Sequence, residues 1–312
     1  MRYYITVDGG TTNTRVYLVC DGEIVDSIKI GIGSKNSTSR AALIPALRDA
    51  IAEILAARGI CESGVTAIIA SGTITSELGL YTVDHTVAPA GIAELQAASK
   101  RVSLPEICAI PFFFISGVKT RGELDECDMM RGEETELMGL IEGGAESMYV
   151  LPGSHSKLVS VSADGRITSL KTMLTGEMIA SISSGTILAN CVDLSISEFD
   201  FEALEVGYEY ADRHGLNEAL FKTRVLKNLF AKDAVYTYSF FIGVLLKDEI
   251  KAILKERAER VIIGGKAQIK RATAHLLSKL SDKEIAVLDD ETVDACVVRG
   301  AIKIYEYCGK CK

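Results

Sequence analysis

The sequence predicts an α/β protein built from two duplicated domains, each a mixed five-stranded sheet flanked by helices. Three observations carry this. The chain echoes itself half a length apart, its hydrophobic pattern alternates between strand and helix periods, and its 312 residues are about twice an ordinary domain.

The echo is the most informative. Residues 4–30 read YITVDGGTTNTRVYLVCDGEIVDSIKI, residues 147–173 read SMYVLPGSHSKLVSVSADGRITSLKTM, and a shift of 143 positions superposes them without a gap. Val7 meets Val150, Gly10 meets Gly153, Thr11 meets Ser154, Asp21-Gly22 meets Asp164-Gly165, and Ile24 meets Ile167. Each copy reads as an apolar strand, a turn of glycine and hydroxyl residues, a second strand, and an Asp-Gly hairpin into a third. The matches fall on turn positions, where glycine supplies backbone freedom.

The segments that follow alternate in kind. After the first copy a helix runs from a Ser39 cap to residue 58, with Leu43, Leu47, Ala50, Ile51 and Ile54 on one face. A buried strand at 67–70, a helix at 92–100 and a strand at 111–115 come next. After the second copy the pattern predicts a helix at 177–188, a helical region at 198–230 and a long helix at 239–259. Strand 261–263, helix 269–279, strand 285–288 and helix 293–307 complete the chain. The boundary falls at Gly143-Gly144, giving domains of 1–143 and 144–312.

Composition narrows the function. With 34 Lys and Arg against 42 Asp and Glu, the net charge of -8 argues against nucleic-acid or anionic-membrane binding. No run reaches the roughly 20 apolar residues of a membrane span, and the opening residues lack a signal-peptide pattern. A cytoplasmic protein is expected. The eight cysteines lie mostly in apolar segments, as suits reduced thiols. Cys308 and Cys311 alone have metal-like spacing, without a second pair.

Chemistry concentrates at the turns. In Asp8-Gly9-Gly10-Thr11-Thr12-Asn13 the glycines let main-chain N–H groups approach an anion, and the hydroxyls add donors. Asp8, at the strand end, is an oxygen ligand suited to Mg²⁺. The second turn, Leu151-Pro152-Gly153-Ser154-His155-Ser156-Lys157, keeps glycine and hydroxyls, gains Lys157, and has Leu151 in place of the acid. Two such hairpins, one acidic, suit a nucleoside triphosphate with a single metal pole; two ordinary turns of a duplicated fold are the alternative. Gly264-Gly265 form a further strand-to-helix turn. Before the second copy, Arg131-Gly132-Glu133-Glu134 opens an amphipathic helix. Its acids are either partners of the helix dipole or a general base for an attacking alcohol. The four histidines (85, 155, 214, 275) have no metal spacing, and only His155 lies in a phosphate turn.

In order along the chain, Val7-Asp8-Gly9-Gly10-Thr11-Thr12-Asn13, Met130-Arg131-Gly132-Glu133-Glu134-Thr135, Leu151-Pro152-Gly153-Ser154-His155-Ser156-Lys157, Met173-Leu174-Thr175-Gly176-Glu177, Phe241-Ile242-Gly243 and Ile263-Gly264-Gly265 resemble the sugar-kinase branch of the actin, Hsp70 and hexokinase superfamily. More closely they resemble the 2-dehydro-3-deoxygalactonokinases. The resemblance implies two ribonuclease H-like (actin-like ATPase) domains with a ligand cleft between them, the first bearing the sugar site and the second the adenosine site. It implies transfer of the ATP γ-phosphoryl to the 6-hydroxyl of 2-dehydro-3-deoxy-D-galactonate, in galactonate catabolism. Carried onto this chain, Asp8 is the Mg²⁺-side acid, and Gly10, Thr11 and Thr12 contact the phosphates. Gly153, Ser154, His155 and Lys157 form the opposing turn, while Gly264 and Gly265 border the adenosine. Glu133 is the base with Glu134 in reserve, Arg131 takes the substrate carboxylate bidentately, and Asn13, Ser71 and Thr73 line the sugar pocket. The family commonly carries tryptophan where this chain has Gly9, and the chain has no Trp. A kinase for another small sugar, polyol or keto sugar acid remains open, as does an ATP switch of actin or chaperone type. A homodimer is compatible with the class, though no residue specifies it.

Overall fold

The computed structural model describes residues 1–33, 40–265 and 268–308; Ser39 and Cys311 of the sequence reading lie outside the described residues. The chain opens as an antiparallel meander of β1 (Tyr3–Gly9), β2 (Thr14–Cys20) and β3 (Glu23–Ile30). Asp21 and Gly22 both have positive φ, 49° and 92°, as the tightest hairpin turns require. Helix α1 (Arg40–Ala57) leads to β4 (Val65–Gly72), parallel to β1. Next come β5 (Thr86–Val87), α2 (Ile92–Ala98), β6 (Lys100–Val102), β7 (Phe112–Phe114), β8 (Val118–Lys119), β9 (Met129–Met130) and α3 (Glu133–Leu140). The main sheet has the order β3-β2-β1-β4-β7-β6, and β5-β8-β9 form a small second sheet. The edge strand β6 makes six strands rather than the predicted five, since three residues are too few to show an alternation. Ile5, Val7, Val16 and Leu18 of the sheet pack with Leu47, Ile51 and Ile54 of α1.

The echo then repeats as β10 (Ser147–Leu151), β11 (Ser156–Val161) and β12 (Ile167–Met173). Helices α4 (Thr175–Gly185), α5 (Phe201–His214), α6 (Leu216–Leu229) and α7 (Ala234–Lys255) precede β13 (Arg260–Ile263), α8 (Ile269–Leu280), β14 (Glu284–Val287) and α9 (Asp290–Glu306). The order β12-β11-β10-β13-β14 matches the first sheet up to β7, which is the duplicated arrangement predicted. The helical stretch at 198–230 is two helices because Gly215, at φ 81°, ends α5. Residues 237–246 of α7 are buried without a break, the pattern of a helix enclosed on all sides. No described helix is long and apolar enough to cross a membrane.

Two compact units result, one of Met1–Ala145, Val161–Leu170 and Glu291–Lys312, the other of Glu146–Ser160 and Lys171–Asp290. The sequence carries the second domain to 312, whereas α9 groups with the first unit. The reason is a close helix crossing. A Cβ on Gly139 of α3 would stand 1.9 Å from the Cys296 carbonyl oxygen, and one on Gly300 of α9 only 1.8 Å from that of Thr135. Farther along α9, Glu306 accepts hydrogen bonds from Tyr4 Oη at 2.6 Å and Arg2 Nη1 at 2.7 Å. Gly300→Ala is therefore expected to destabilise the protein by about 3 kcal/mol or more, the upper range of overpacking. The check is a lower denaturant midpoint at unchanged slope.

Candidate active site

Asp8 is the next-to-last residue of β1, opposite Arg15 of β2 and beside Ser71 of β4. Its Oδ2 lies 3.5 Å from Arg15 Nη1, and Ser71 is buried. The turn that follows is closed by Gly10 N–H donating to the Asn13 carbonyl at 2.9 Å. Thr11 and Asn13 are half-buried there, and Thr12 is exposed. Thr73 Oγ1 donates to the carbonyls of Gly9 and Gly10, at 2.9 and 3.0 Å. The hydroxyl expected at the sugar thus braces the backbone of the first turn.

Three glycines bring this corner together. A Cβ on Gly72, at φ 80°, would stand 2.4 Å from the Gly9 carbonyl oxygen, and one on Gly132, at φ 115°, 3.2 Å from the Gly72 Cα. The ends of β1 and β4 and the start of α3 therefore meet backbone to backbone. That contact gathers Asp8, Ser71, Thr73, Glu133 and Glu134 from segments distant in sequence. Gly9 also explains the missing tryptophan, because any Cβ there would stand 2.8 Å from Ile74 N.

The paired acids differ. Glu133 is half-buried, and its Oε2 accepts the Arg131 N–H at 3.2 Å. Glu134 is 0 % exposed. Its two oxygens share the Gly132 N–H, at 2.8 and 3.0 Å, and Oε1 also accepts from Thr135 Oγ1 at 3.0 Å. Burial first, then the charge of Glu133, push the Glu134 carboxyl up to about 7. A raised carboxyl favours the folded state below its unfolded value of 4.5, and that advantage is lost as pH rises to about 7. It amounts to on the order of 3 kcal/mol. Thermal unfolding should show the wild type losing stability relative to Glu134→Gln between about pH 4.5 and 7, with a constant difference above that range.

Arg131 is tightly held. Nη1 donates to the Thr75 carbonyl at 2.8 Å and Oγ1 at 2.6 Å, and Nη2 donates to the Val83 carbonyl at 2.8 Å and faces the His85 ring at 3.2 Å. His85 is lowered to about 4 by burial and by the Arg131 charge, so its ring is neutral near pH 7. The guanidinium expected at the substrate carboxylate thus also anchors residues 75–85. Nothing in the spacing of His85 from Arg131 reveals this pairing.

In the second unit, Gly153 and Ser154 are exposed at the tip of the β10–β11 hairpin. The start of α4 docks on them: Glu177 N–H donates to the Ser154 carbonyl at 3.0 Å, and a Cβ on Gly176 would stand 2.1 Å from the Gly153 carbonyl oxygen. His155 Nε2 lies 3.3 Å from Glu177 Oε2. Gly264 N–H donates to the Val150 carbonyl at 2.8 Å, and Gly265, at φ 73°, abuts Pro152. The Gly264-Gly265 turn and the hairpin are thereby one construction. Lys157 is 4 % exposed, with Nζ 3.4 Å from the His155 carbonyl oxygen, so the ammonium expected at a phosphate is folded against its own hairpin. Sequence reasoning passed over two acids here, Glu177 and Glu249; the first stood in a quoted motif without a role.

Among the described residues no group of three or more His, Cys, Asp or Glu is placed to hold a metal ion. Asp8 offers a single carboxylate. That fits Mg²⁺, which keeps several waters and takes one or two carboxylates together with substrate phosphates.

Over residues 8–304 the chain matches the family described as 2-keto-3-deoxy-galactonokinase. It is 25% identical over 253 residues to the 2-dehydro-3-deoxygalactonokinase of Escherichia coli (strain K12), covering 80% of this chain and 76% of that protein. It is 27% identical over 192 residues to a probable 2-dehydro-3-deoxygalactonokinase of Rhizobium meliloti (strain 1021), covering 61% of this chain and 59% of that protein's length. In fold it resembles the crystal structure of a candidate 2-dehydro-3-deoxygalactonokinase from Sinorhizobium meliloti, with a TM-score of 0.79 at 22% identity over 98% of this chain and 100% of that one.

Proposed function

The chain belongs to the 2-keto-3-deoxy-galactonokinase family, and from that premise we propose that it is an ATP-dependent kinase acting on the 6-hydroxyl of 2-dehydro-3-deoxy-D-galactonate. The observation that carries this reading is the glycine-lined corner of the first unit, where a strand-end carboxylate, a hydroxyl-rich turn and a helix-opening acid converge.

Glu133 is the base. It is half-buried and within a ligand's reach, whereas Glu134 is sealed and bonded to Gly132 and Thr135. Glu133 takes the proton of the sugar 6-hydroxyl as that oxygen bonds to the γ-phosphorus and the bond to the departing ADP oxygen breaks. The first turn, through Gly10, Thr11 and Thr12, and the second, through Gly153, Ser154 and His155, hold phosphate oxygens; Gly264 and Gly265 border the adenosine. Asp8 would hold Mg²⁺, which when bound neutralises charge on the phosphate oxygens. Asn13 and Ser71 lie on the sugar-acid side, where Arg131 is kept in one orientation by its bonds to Thr75 and Val83. The described cysteines are free thiols, in keeping with the reducing, ATP-supplied cytoplasm.

A coupled ADP-release screen over hexonate-derived 2-keto-3-deoxy acids, with hexoses and glycerol as controls, tests the proposal. ADP release confined to the keto acids is expected. Release with a hexose or glycerol instead would transfer the activity to another carbohydrate acceptor, and release with no acceptor would overturn the kinase reading.

A further inference from the structure

Helix α7 carries a carboxylic acid where its pattern calls for a hydrocarbon. Glu249 is 0 % exposed and follows Leu245 and Leu246 into a core that also contains Ile250 and Ile253. A carboxyl in such surroundings is unfavourable unless it is bonded, and burial pushes Glu249 upward. Thr175 Oγ1 donates to its Oε2 at 2.5 Å, and the Ser156 hydroxyl is a second hydrogen-bonding neighbour. Among the described residues Oε1 has no hydrogen-bond partner. Glu249 is thus incompletely satisfied even in its own fold, which is a poor way to stabilise a core.

What distinguishes Glu249 is the position of its two partners. Ser156 begins β11, and Thr175 begins α4. Just ahead of Ser156 come Gly153 and Ser154: the Ser154 carbonyl accepts the Glu177 N–H at the start of α4, and the Gly153 carbonyl abuts Gly176. One buried side chain therefore ties together the exit of the phosphate turn and the helix that docks against it.

We propose that Glu249 is a positioning residue for the nucleotide: through Ser156 and Thr175 it holds the 153–155 turn in the shape that receives phosphate. This rests on the kinase reading, specifically on the second turn binding ATP. The test uses the full chain with three variants, Glu249→Leu, Glu249→Gln, and Thr175→Val combined with Ser156→Ala. Each is titrated calorimetrically with ADP and assayed for KM of ATP, KM of the sugar acid and kcat. Glu249→Leu, which keeps the core apolar, should weaken ADP binding and raise KM for ATP about tenfold or more, with KM for the sugar acid within about twofold. Glu249→Gln, which still accepts from Thr175, should return both nucleotide values to within about threefold of wild type. The Thr175→Val, Ser156→Ala protein should resemble Glu249→Leu, and it decides by the same criterion if Glu249→Leu fails to fold.

Unchanged nucleotide affinity in Glu249→Leu, a Gln variant no better than Leu, or an equal rise in both KM values would each overturn the proposal. The ADP titration needs no acceptor, so an error about the sugar acid does not touch it. Wild-type protein that fails to bind ADP removes the kinase reading and this inference together.

Discussion

Replacing Glu133 by Gln is expected to lower turnover by about 100-fold or more, the usual scale of a lost general base, with KM for ATP nearly unchanged. The amide preserves the shape of the side chain and can still accept the Arg131 N–H that Glu133 Oε2 accepts now. Only the capacity to take a proton is removed. Glu134→Gln is the matched control, for it alters a sealed residue whose oxygens face Gly132 and Thr135. Steady-state kinetics of both variants, with ADP titrations to confirm intact nucleotide binding, decide the matter. Full turnover in Glu133→Gln with a collapse in Glu134→Gln would move the proton to the buried carboxyl, and full turnover in both would leave the reaction without either acid.

Asp8→Asn is the second large effect. The neutral amide is a weaker ligand for a hard dication, and the Mg²⁺ concentration for half-maximal rate should rise about 10- to 100-fold. Stability should hardly move. The ion pair with Arg15 spans 3.5 Å between partly exposed groups, and such pairs contribute about 1 kcal/mol or less. A Mg²⁺ titration of rate at saturating ATP, beside a thermal melt, separates the two. Wild-type activity at low Mg²⁺ would remove Asp8 from the metal side.

Most of the secondary structure and both glycine-and-hydroxyl turns were legible in the sequence, for a local reason: hairpins and turns need glycine and short polar residues at set offsets. The segments that escaped are short or distant. Strand β6 is three residues long, and the split of α5 from α6 rests on the conformation of Gly215 alone. The placement of α9 depends on two glycines 161 positions apart, Gly139 and Gly300. Within the site, types and turns were readable but pairings were not. Arg131 meets His85 across 46 positions and Glu249 meets Thr175 across 74, and neither separation follows from a periodicity. One sign of Glu249 was present, an acid one turn beyond Leu245 in an otherwise apolar stripe.

The meeting of Gly9, Gly72 and Gly132 bears on how such an enzyme changes its diet. Where main chain touches main chain, a mutation has no neighbouring side chain to shrink in exchange. On the proposed kinase reading, the corner thus offers no stepwise route to a reshaped acceptor pocket. Variation that redirects the proposed kinase to a different acid should collect instead between Thr75 and His85, where Arg131 grips both ends and Glu77, Leu78, Thr82 and Asp84 are exposed. A laboratory library built for that purpose is best spent there.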